Sequence, residues 1–247
     1  MTIILSDTAV APKSAPMLMP IEGLGFFNYL GGSAADSIKN EANAAAPFTV
    51  VGSPTYGERY ARCKSVTSGA YLNTGITPGN EWTIMVVGHP DLATDLSVNG
   101  DNPGGLLSNF ASSSGSLIGI GIGWAFASLR FSYATDGTER FLSGITPTGD
   151  DRFLPRFLAF RGKYGDTMIA DDLTSGGHVS EAAVAGTPNL GNVPLRAGST
   201  GNGTNRYGYS WIYWVGYVPV KITDQELQRV YWQVKRSLLA SETPVAI

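Results

Sequence analysis

The sequence has little of what several functional classes require. It has one cysteine, Cys63, among 247 residues, which excludes an internal disulfide and a zinc site built from cysteines. Lysine and arginine number 17 against 20 aspartates and glutamates, and they form no basic run. Because nucleic-acid binding needs clustered positive charge to neutralise phosphates, we expect no nucleic-acid partner.

Long apolar segments are also missing. No run approaches the roughly 18 residues of a membrane-spanning helix, so we expect no membrane partner. The first five residues begin apolar, but they lack a basic flank and a sustained apolar core. They therefore make a poor signal peptide, and we expect none.

The residues that are present favour a β fold. Only 15% of the chain is charged and 43% is hydrophobic, which argues against disorder. The 31 glycines and 14 prolines are spread along the chain, and short β-type runs such as residues 82–87 alternate with turns such as residues 78–80. This pattern predicts one all-β sandwich domain over residues 21–247.

Residues 1–20 differ from the rest. Pro12, Pro16 and Pro20 remove amide donors and fix φ, which predicts an extended N-terminal arm rather than a helix. Residues 17–19 are Met-Leu-Met, a costly segment to leave in water, so we expect the arm to lie against another subunit. A loose terminus is the alternative.

The clearest local signals lie near the C-terminus. Aromatic and β-branched residues dominate residues 209–219, which predicts a central strand buried on at least one face. Thr223 and Glu226 then have the spacing of a capping box. Apolar residues follow at helical spacing, so the fold is predicted to close with one short α-helix.

Residues 117–124 read Leu-Ile-Gly-Ile-Gly-Ile-Gly-Trp. Glycine at every second position is strand periodicity, and the next segment continues as a strand instead of the helix that a nucleotide-binding loop requires. Glycines on one face leave space for a close approach by another sheet or by a ligand.

Several segments resemble, in order along the chain, parts of the concanavalin A-like lectin/glucanase superfamily. Residues 211–217 and 222–235 are similar to the C-terminal strand and helix of its laminin-G-like domains of phage and prophage type. Residues 71–76 and 195–198 are similar to two further strands. The resemblance covers residues 21–239 and implies a jelly-roll of two antiparallel sheets with a concave face. This fold hosts lectins, glycosidases, lyases and structural modules.

The resemblance implies a virion-associated protein of a phage tail or capsid, or a cell-surface adhesion module, that binds bacterial glycans. Such a protein would assemble in the bacterial cytoplasm, contact other virion proteins through its arm, and form a homo-oligomer, a trimer by analogy. A polysaccharide-degrading glycosidase or lyase on the same fold is one alternative. A structural capsid or tail component without a ligand is another.

A sugar site needs exposed aromatic rings, because the C–H face of a sugar stacks on them. The candidates are aromatic residues on or near the glycine-alternating strand and in a predicted loop: Trp124, Phe126, Tyr133 and Tyr164. Core packing is the alternative for Trp124.

The resemblance also makes calcium the one candidate cofactor, because laminin-G-like domains often bind it at the rim of the sandwich. Oxygen ligands suit calcium, and one polar segment supplies Asp91, Asp95, Asn99 and Asp101. An ordinary solvated loop is the alternative.

Catalytic signals are absent, so we expect a protein that is not an enzyme. The two histidines, His89 and His178, follow a strand and lie in a predicted loop, respectively, and no serine lies in a G-x-S-x-G motif. No glutamate has the paired carboxylates that the resemblance would require of a glycosidase. Asp171 and Asp172 are adjacent, so on a strand they would face opposite ways.

Overall fold

A computed structural model describes residues 19–65, 69–91, 104–113, 116–125, 128–182, 185–200, 208–240 and 243–247. Within these ranges the chain forms two large antiparallel sheets, a small two-stranded hairpin and a C-terminal helix. The predicted all-β sandwich with one C-terminal α-helix is therefore confirmed. No helix in the described ranges is long and apolar enough to cross a membrane.

The strands and helices of these ranges, in chain order, are β1 (Phe26–Tyr29), α1 (Ala34–Ser37), β2 (Thr49–Val51), β3 (Thr55–Tyr56), β4 (Ala61–Lys64), β5 (Tyr71–Asn73), β6 (Glu81–Pro90), β7 (Gly105–Ser108), β8 (Ala111–Ser113), β9 (Ser116–Ile118), β10 (Ile120–Ala125), β11 (Ser128–Thr135), β12 (Thr138–Leu142), a 3-10 helix (Gly149–Phe153), β13 (Arg156–Lys163), β14 (Thr167–Asp172), β15 (Gly177–Ala182), β16 (Arg196–Ala197), β17 (Tyr209–Val218) and α2 (Asp224–Leu239).

Sheet A has the strand order β15-β14-β13-β6-β17-β4-β3, and β1 pairs with β17 beside β4. Sheet B has the order β12-β11-β10-β7-β16-β5-β2, and β8 pairs with β9. Neighbours in space are mostly distant in sequence, because the chain crosses repeatedly between the two sheets. The long strands β6 and β17 are partners at the centre of sheet A. The aromatic C-terminal segment therefore forms a central strand of this sheet.

The core between the sheets is built from the side chains that face inward, which are alternate residues along each strand. Trp82 and Phe160 from sheet A meet edge to face with ring centroids 5.7 Å apart, and Phe131 from sheet B packs on Phe160 at 6.1 Å. All three side chains are fully buried. Burial of each large side chain contributes about 1.5–3 kcal/mol, so this layer is a major source of stability.

A second apolar core lies on the outer face of sheet A, under α2. The register of β17 against β6 shifts between Ile212 and Trp214, and this bulge places the consecutive residues Tyr213 and Trp214 on the same face. Phe157 stacks on Trp214 and meets Tyr231 of α2 edge to face. Strand β17 is thus central and buried on both faces, whereas its composition predicted burial on at least one face.

The predicted capping box at the start of α2 is confirmed. The backbone N–H of Thr223 donates to Glu226 Oε2 at 2.8 Å, and the backbone N–H of Glu226 donates to Thr223 Oγ1 at 3.3 Å. The box fixes where the helix begins, after the connecting residues 219–223 that follow β17, and α2 packs against the outer face of sheet A.

The glycine-alternating segment forms two strands instead of one. Gly119, with a φ of 95°, separates β9 from β10. A Cβ on Gly121 would lie 2.2 Å from Ser108 Oγ of the neighbouring strand β7. The space that the glycine leaves at this position is therefore filled by strand β7 and not by a ligand.

Candidate functional site

The aromatic candidates lie mainly inside the sandwich. Trp124 is 1% exposed and Tyr133 is 3% exposed, both in the core between the sheets. Tyr164 is half-buried, and its hydroxyl donates to the carbonyl of Ala134 at 2.8 Å. Phe126 lies outside the described residues. The three described rings therefore do not form an open stacking surface for a sugar.

The calcium candidates fall mostly outside the described residues. Of the four, only Asp91 is described; Asp95, Asn99 and Asp101 are not. Asp91 is 5% exposed and accepts a hydrogen bond from Arg62 Nε. Within the described ranges no group of three or more histidine, cysteine, aspartate or glutamate side chains is placed to hold a metal ion, and the calcium site stays a prediction.

The two histidines differ in environment. His89 is 5% exposed, its Nδ1 lies 2.7 Å from the carbonyl oxygen of Pro90, and its Nε2 lies 3.0 Å from the hydroxyl of Tyr213. Burial lowers the pKa of His89 below its usual range. Both nitrogens are occupied, so His89 belongs to the structure of sheet A.

His178 lines a cleft of about 230 Å³ where the start of α2 meets the edge strands of sheet A. Sequence patterns placed His178 in a loop, and that prediction was wrong: it lies in β15, directly opposite Asp171 of β14. The lining residues are Arg161, Asp171, Leu173, Gly176, Gly177, His178, Asp224, Leu227 and Gln228.

The imidazole of His178 is held by a buried carboxylate. Its Nδ1 lies 2.8 Å from Asp171 Oδ1, and Asp171 is 4% exposed whereas the His178 side chain is 51% exposed. The Nε2 atom has no hydrogen-bond partner among the described residues. One nitrogen is thus fixed by the protein, and the other is left available on a half-exposed ring.

Asp171 is held in turn by Arg161, a guanidinium that is 2% exposed. Its Nε and Nη2 donate to Asp171 Oδ2 at 3.1 and 2.8 Å, and its Nη1 donates to the carbonyl of Ile222 at 3.0 Å. Nη2 also lies 2.7 Å from Asp224 Oδ1 in the first turn of α2. The arginine thereby fastens the helix start to the sheet and makes the polar wall of the cleft rigid.

Asp171 and Asp172 lie at the end of strand β14 instead of in a turn, and as neighbours on a strand they face opposite ways. Asp171 pairs across the strands with Ala159, which belongs to the core under α2, and Asp172 pairs with Leu158 of the core between the sheets. Asp172 binds Arg156 Nη1 at 2.6 Å. The two carboxylates therefore belong to separate buried ion pairs, and only Asp171 reaches the cleft.

A second surface on the same face of sheet A carries half-buried aromatic rings, but their faces are occupied. Tyr60 stacks on Trp211 with ring centroids 4.3 Å apart. Gly57 lies so close to Tyr60 that a Cβ added to it would be 2.3 Å from the ring, and the ring centroids of His89 and Trp211 are 5.3 Å apart. The cleft at His178 is therefore the better candidate for a ligand.

No family model matches the sequence, and no curated protein matches it. Solved structures of similar fold include the binding domain of Paraclostridial Mosquitocidal Protein 1, at a TM-score of 0.60 and 13% identity, covering 87% of this chain and 52% of that one. The binding domain of Botulinum Neurotoxin DC in complex with SialylT has a TM-score of 0.57 and 10% identity, and the match covers 86% of this chain and 51% of that one.

Trypanosoma rangeli sialidase in complex with sialic acid gives a TM-score of 0.55 and 14% identity, covering 91% of this chain and 35% of that one. The chain thus spans about half or less of these longer proteins. At such low identity the likeness establishes the fold alone. The described residues form a jelly-roll sandwich of the kind found in these toxin and sialidase structures, and the narrower laminin-G resemblance rests on sequence motifs.

Proposed function

We propose that this sandwich is a non-catalytic glycan-binding module and that the cleft at the start of α2 holds a sugar ring. The observation that carries the proposal is the combination of polar and apolar groups in one cavity. His178, Asp224 and Gln228 supply an imidazole, a carboxylate and a carboxamide, and Leu173 and Leu227 supply an apolar wall. A small cavity with a few fixed polar groups and an apolar lining is the usual form of a ligand site.

The network behind the cleft supports this proposal. A binding group must be held in place before the ligand arrives, because ordering it during binding costs free energy. His178 is fixed by Asp171, and Asp171 by Arg161. Two of the longer proteins that contain a similar sandwich are solved with SialylT and with sialic acid, so sandwiches of this fold occur in proteins that bind glycans.

A glycan array and isothermal titration calorimetry test the proposal. Gln228→Ala removes an exposed amide from the cleft, and we expect it to weaken glycan binding about tenfold, the loss of one good hydrogen bond or two weak ones. Gln225→Ala is the matched control, because Gln225 is exposed on the same helix and does not line the cleft. Equal affinities of the two variants would contradict the assignment of the cleft.

A polysaccharide-degrading enzyme is the second candidate, and the His178–Asp171 pair favours it. A carboxylate on Nδ1 prepares the other imidazole nitrogen to accept a proton, as in general-base catalysis. Among the lining residues, however, the one cation is Arg161, which is buried and already shared between two aspartates. Release of new reducing or unsaturated sugar ends by the wild type, lost in His178→Ala, would establish this alternative.

We further propose that the module works on a virion, in a phage tail or capsid, or on a cell surface, and presents the sandwich outward. Residues 1–20 would attach it to other virion proteins, and the assembly would be a homo-oligomer, a trimer by analogy. Light scattering on the full chain and on a chain lacking residues 1–20 tests this: loss of the oligomer on truncation supports it, and a monomeric full chain contradicts it. Stable assembly with no glycan binding would favour the purely structural alternative.

A further inference from the structure

The side-chain hydrogen-bonding groups that remain free among the described lining residues of the cleft are mostly acceptors. An ionised carboxylate only accepts hydrogen bonds, so when the imidazole of His178 is neutral, its one N–H proton lies on Nδ1 and is donated to Asp171 Oδ1. That tautomer leaves a lone pair on Nε2. The nitrogen that His178 offers to a ligand is therefore an acceptor.

Asp224 adds a second acceptor. Its Oδ1 is engaged by Arg161 Nη2, and its Oδ2 has no hydrogen-bond partner among the described residues. The Asp224 side chain is 80% exposed, so a ligand in the cleft can reach it. The amide of Gln228, which both donates and accepts, completes the set.

Arg161, the one arginine or lysine among the lining residues that the structure describes, already has its hydrogen-bond partners within the protein. Arg161 is 2% exposed, and its three nitrogens are bonded to Asp171, Asp224 and the carbonyl of Ile222. Two carboxylates and one guanidinium give the lining residues one excess negative charge when His178 is neutral. A ligand carboxylate would meet the repulsion of Asp224 without an unpaired cation to offset it.

We infer that the cleft selects a neutral, hydroxyl-rich sugar over an acidic one. The inference rests on the proposed function and specifies its ligand class. Sugar hydroxyls donate to His178 Nε2 and Asp224 Oδ2, and the C–H face of the ring lies on the apolar wall.

The test uses an array of matched glycan pairs, each a neutral oligosaccharide and the same oligosaccharide capped with sialic acid, followed by calorimetry on the best pair. We expect the neutral member to bind at least tenfold more tightly. Asp224→Asn removes the repulsive charge, so it should narrow that ratio several-fold. Asp166→Asn is the control, because Asp166 is ion-paired with Lys221 and does not line the cleft.

Two outcomes overturn the inference while leaving the glycan-binding function standing: tighter binding of the sialylated member by the wild type, or a ratio that Asp224→Asn does not change. Absence of binding by every array member would instead overturn the proposed function, and the inference with it. Circular dichroism of Asp224→Asn establishes that the variant is folded, as expected for a residue whose side chain is mostly exposed.

Discussion

His178 and Asp171 lie directly opposite each other on β15 and β14, with 2.8 Å between Nδ1 and Oδ1. The pair joins a half-exposed imidazole to a buried carboxylate, and through that carboxylate to Arg161 and the first turn of α2. A surface group that could bind a ligand is thereby rigidly connected to the core of the fold.

Arg161→Leu should lower the free energy of unfolding by about 3–5 kcal/mol, because it leaves Asp171 buried without its cation. Urea denaturation followed by circular dichroism measures the change. The double variant Arg161→Leu with Asp171→Leu should recover much of the loss, since apolar residues can replace a buried ion pair at little cost. A double variant as unstable as the single one would show that the ion pair itself is not the source of the effect.

Gly121→Ala should destabilise the protein by about 1–3 kcal/mol, because the new Cβ would lie 2.2 Å from Ser108 Oγ and 2.6 Å from Ser108 Cβ. In a Ser108→Gly background the same substitution should cost clearly less, and the double-mutant cycle measures that coupling. Gly79→Ala is the control, because no atom lies within 4 Å of its Cβ position. Equal costs of Gly121→Ala in the two backgrounds would contradict the contact.

The free energy of unfolding should decrease as the pH is lowered from 7 to 5, because of His89. Burial lowers its pKa in the folded protein, and its hydrogen bonds leave Nε2 as the acceptor for Tyr213. Below about pH 6.5 the unfolded chain binds a proton that the folded chain does not, so folding becomes less favourable until the lowered folded pKa is passed.

Urea midpoints measured across this pH range test the prediction. His89→Gln should flatten the slope, and His178→Gln should leave the contribution of His89 in place. An unchanged slope in His89→Gln would show that another group is responsible for the pH dependence.

The sequence predicted the parts of the fold that depend on local pattern. Thr223 and Glu226 are three residues apart, and their reciprocal bonds need only that spacing. The strand character of residues 209–219 follows from β-branched and aromatic composition in the same way.

The site could not be predicted as readily, because its residues are brought together by tertiary structure. Arg161 and Asp224 are 63 positions apart, and nothing local pairs β13 with the start of α2. Trp124 follows glycines that alternate with isoleucines on β10. This pattern assigns the residues to two faces of the strand, but it does not show which face packs against the core. One available signal was overlooked: a hairpin with a loop over residues 173–176 pairs Asp171 with His178.

The two histidines allow the most direct test of the cleft, since one lines it and the other is buried away from it. Long-range proton–nitrogen NMR spectra resolve the ring nitrogens of His178 and His89 during a titration with a neutral oligosaccharide. We predict that His178 carries its proton on Nδ1 before the titration and that its Nε2 signal then shifts in a saturable way while His89 stays unchanged. Saturable binding of the sugar with no change at His178 would contradict the assignment of the cleft as the glycan site.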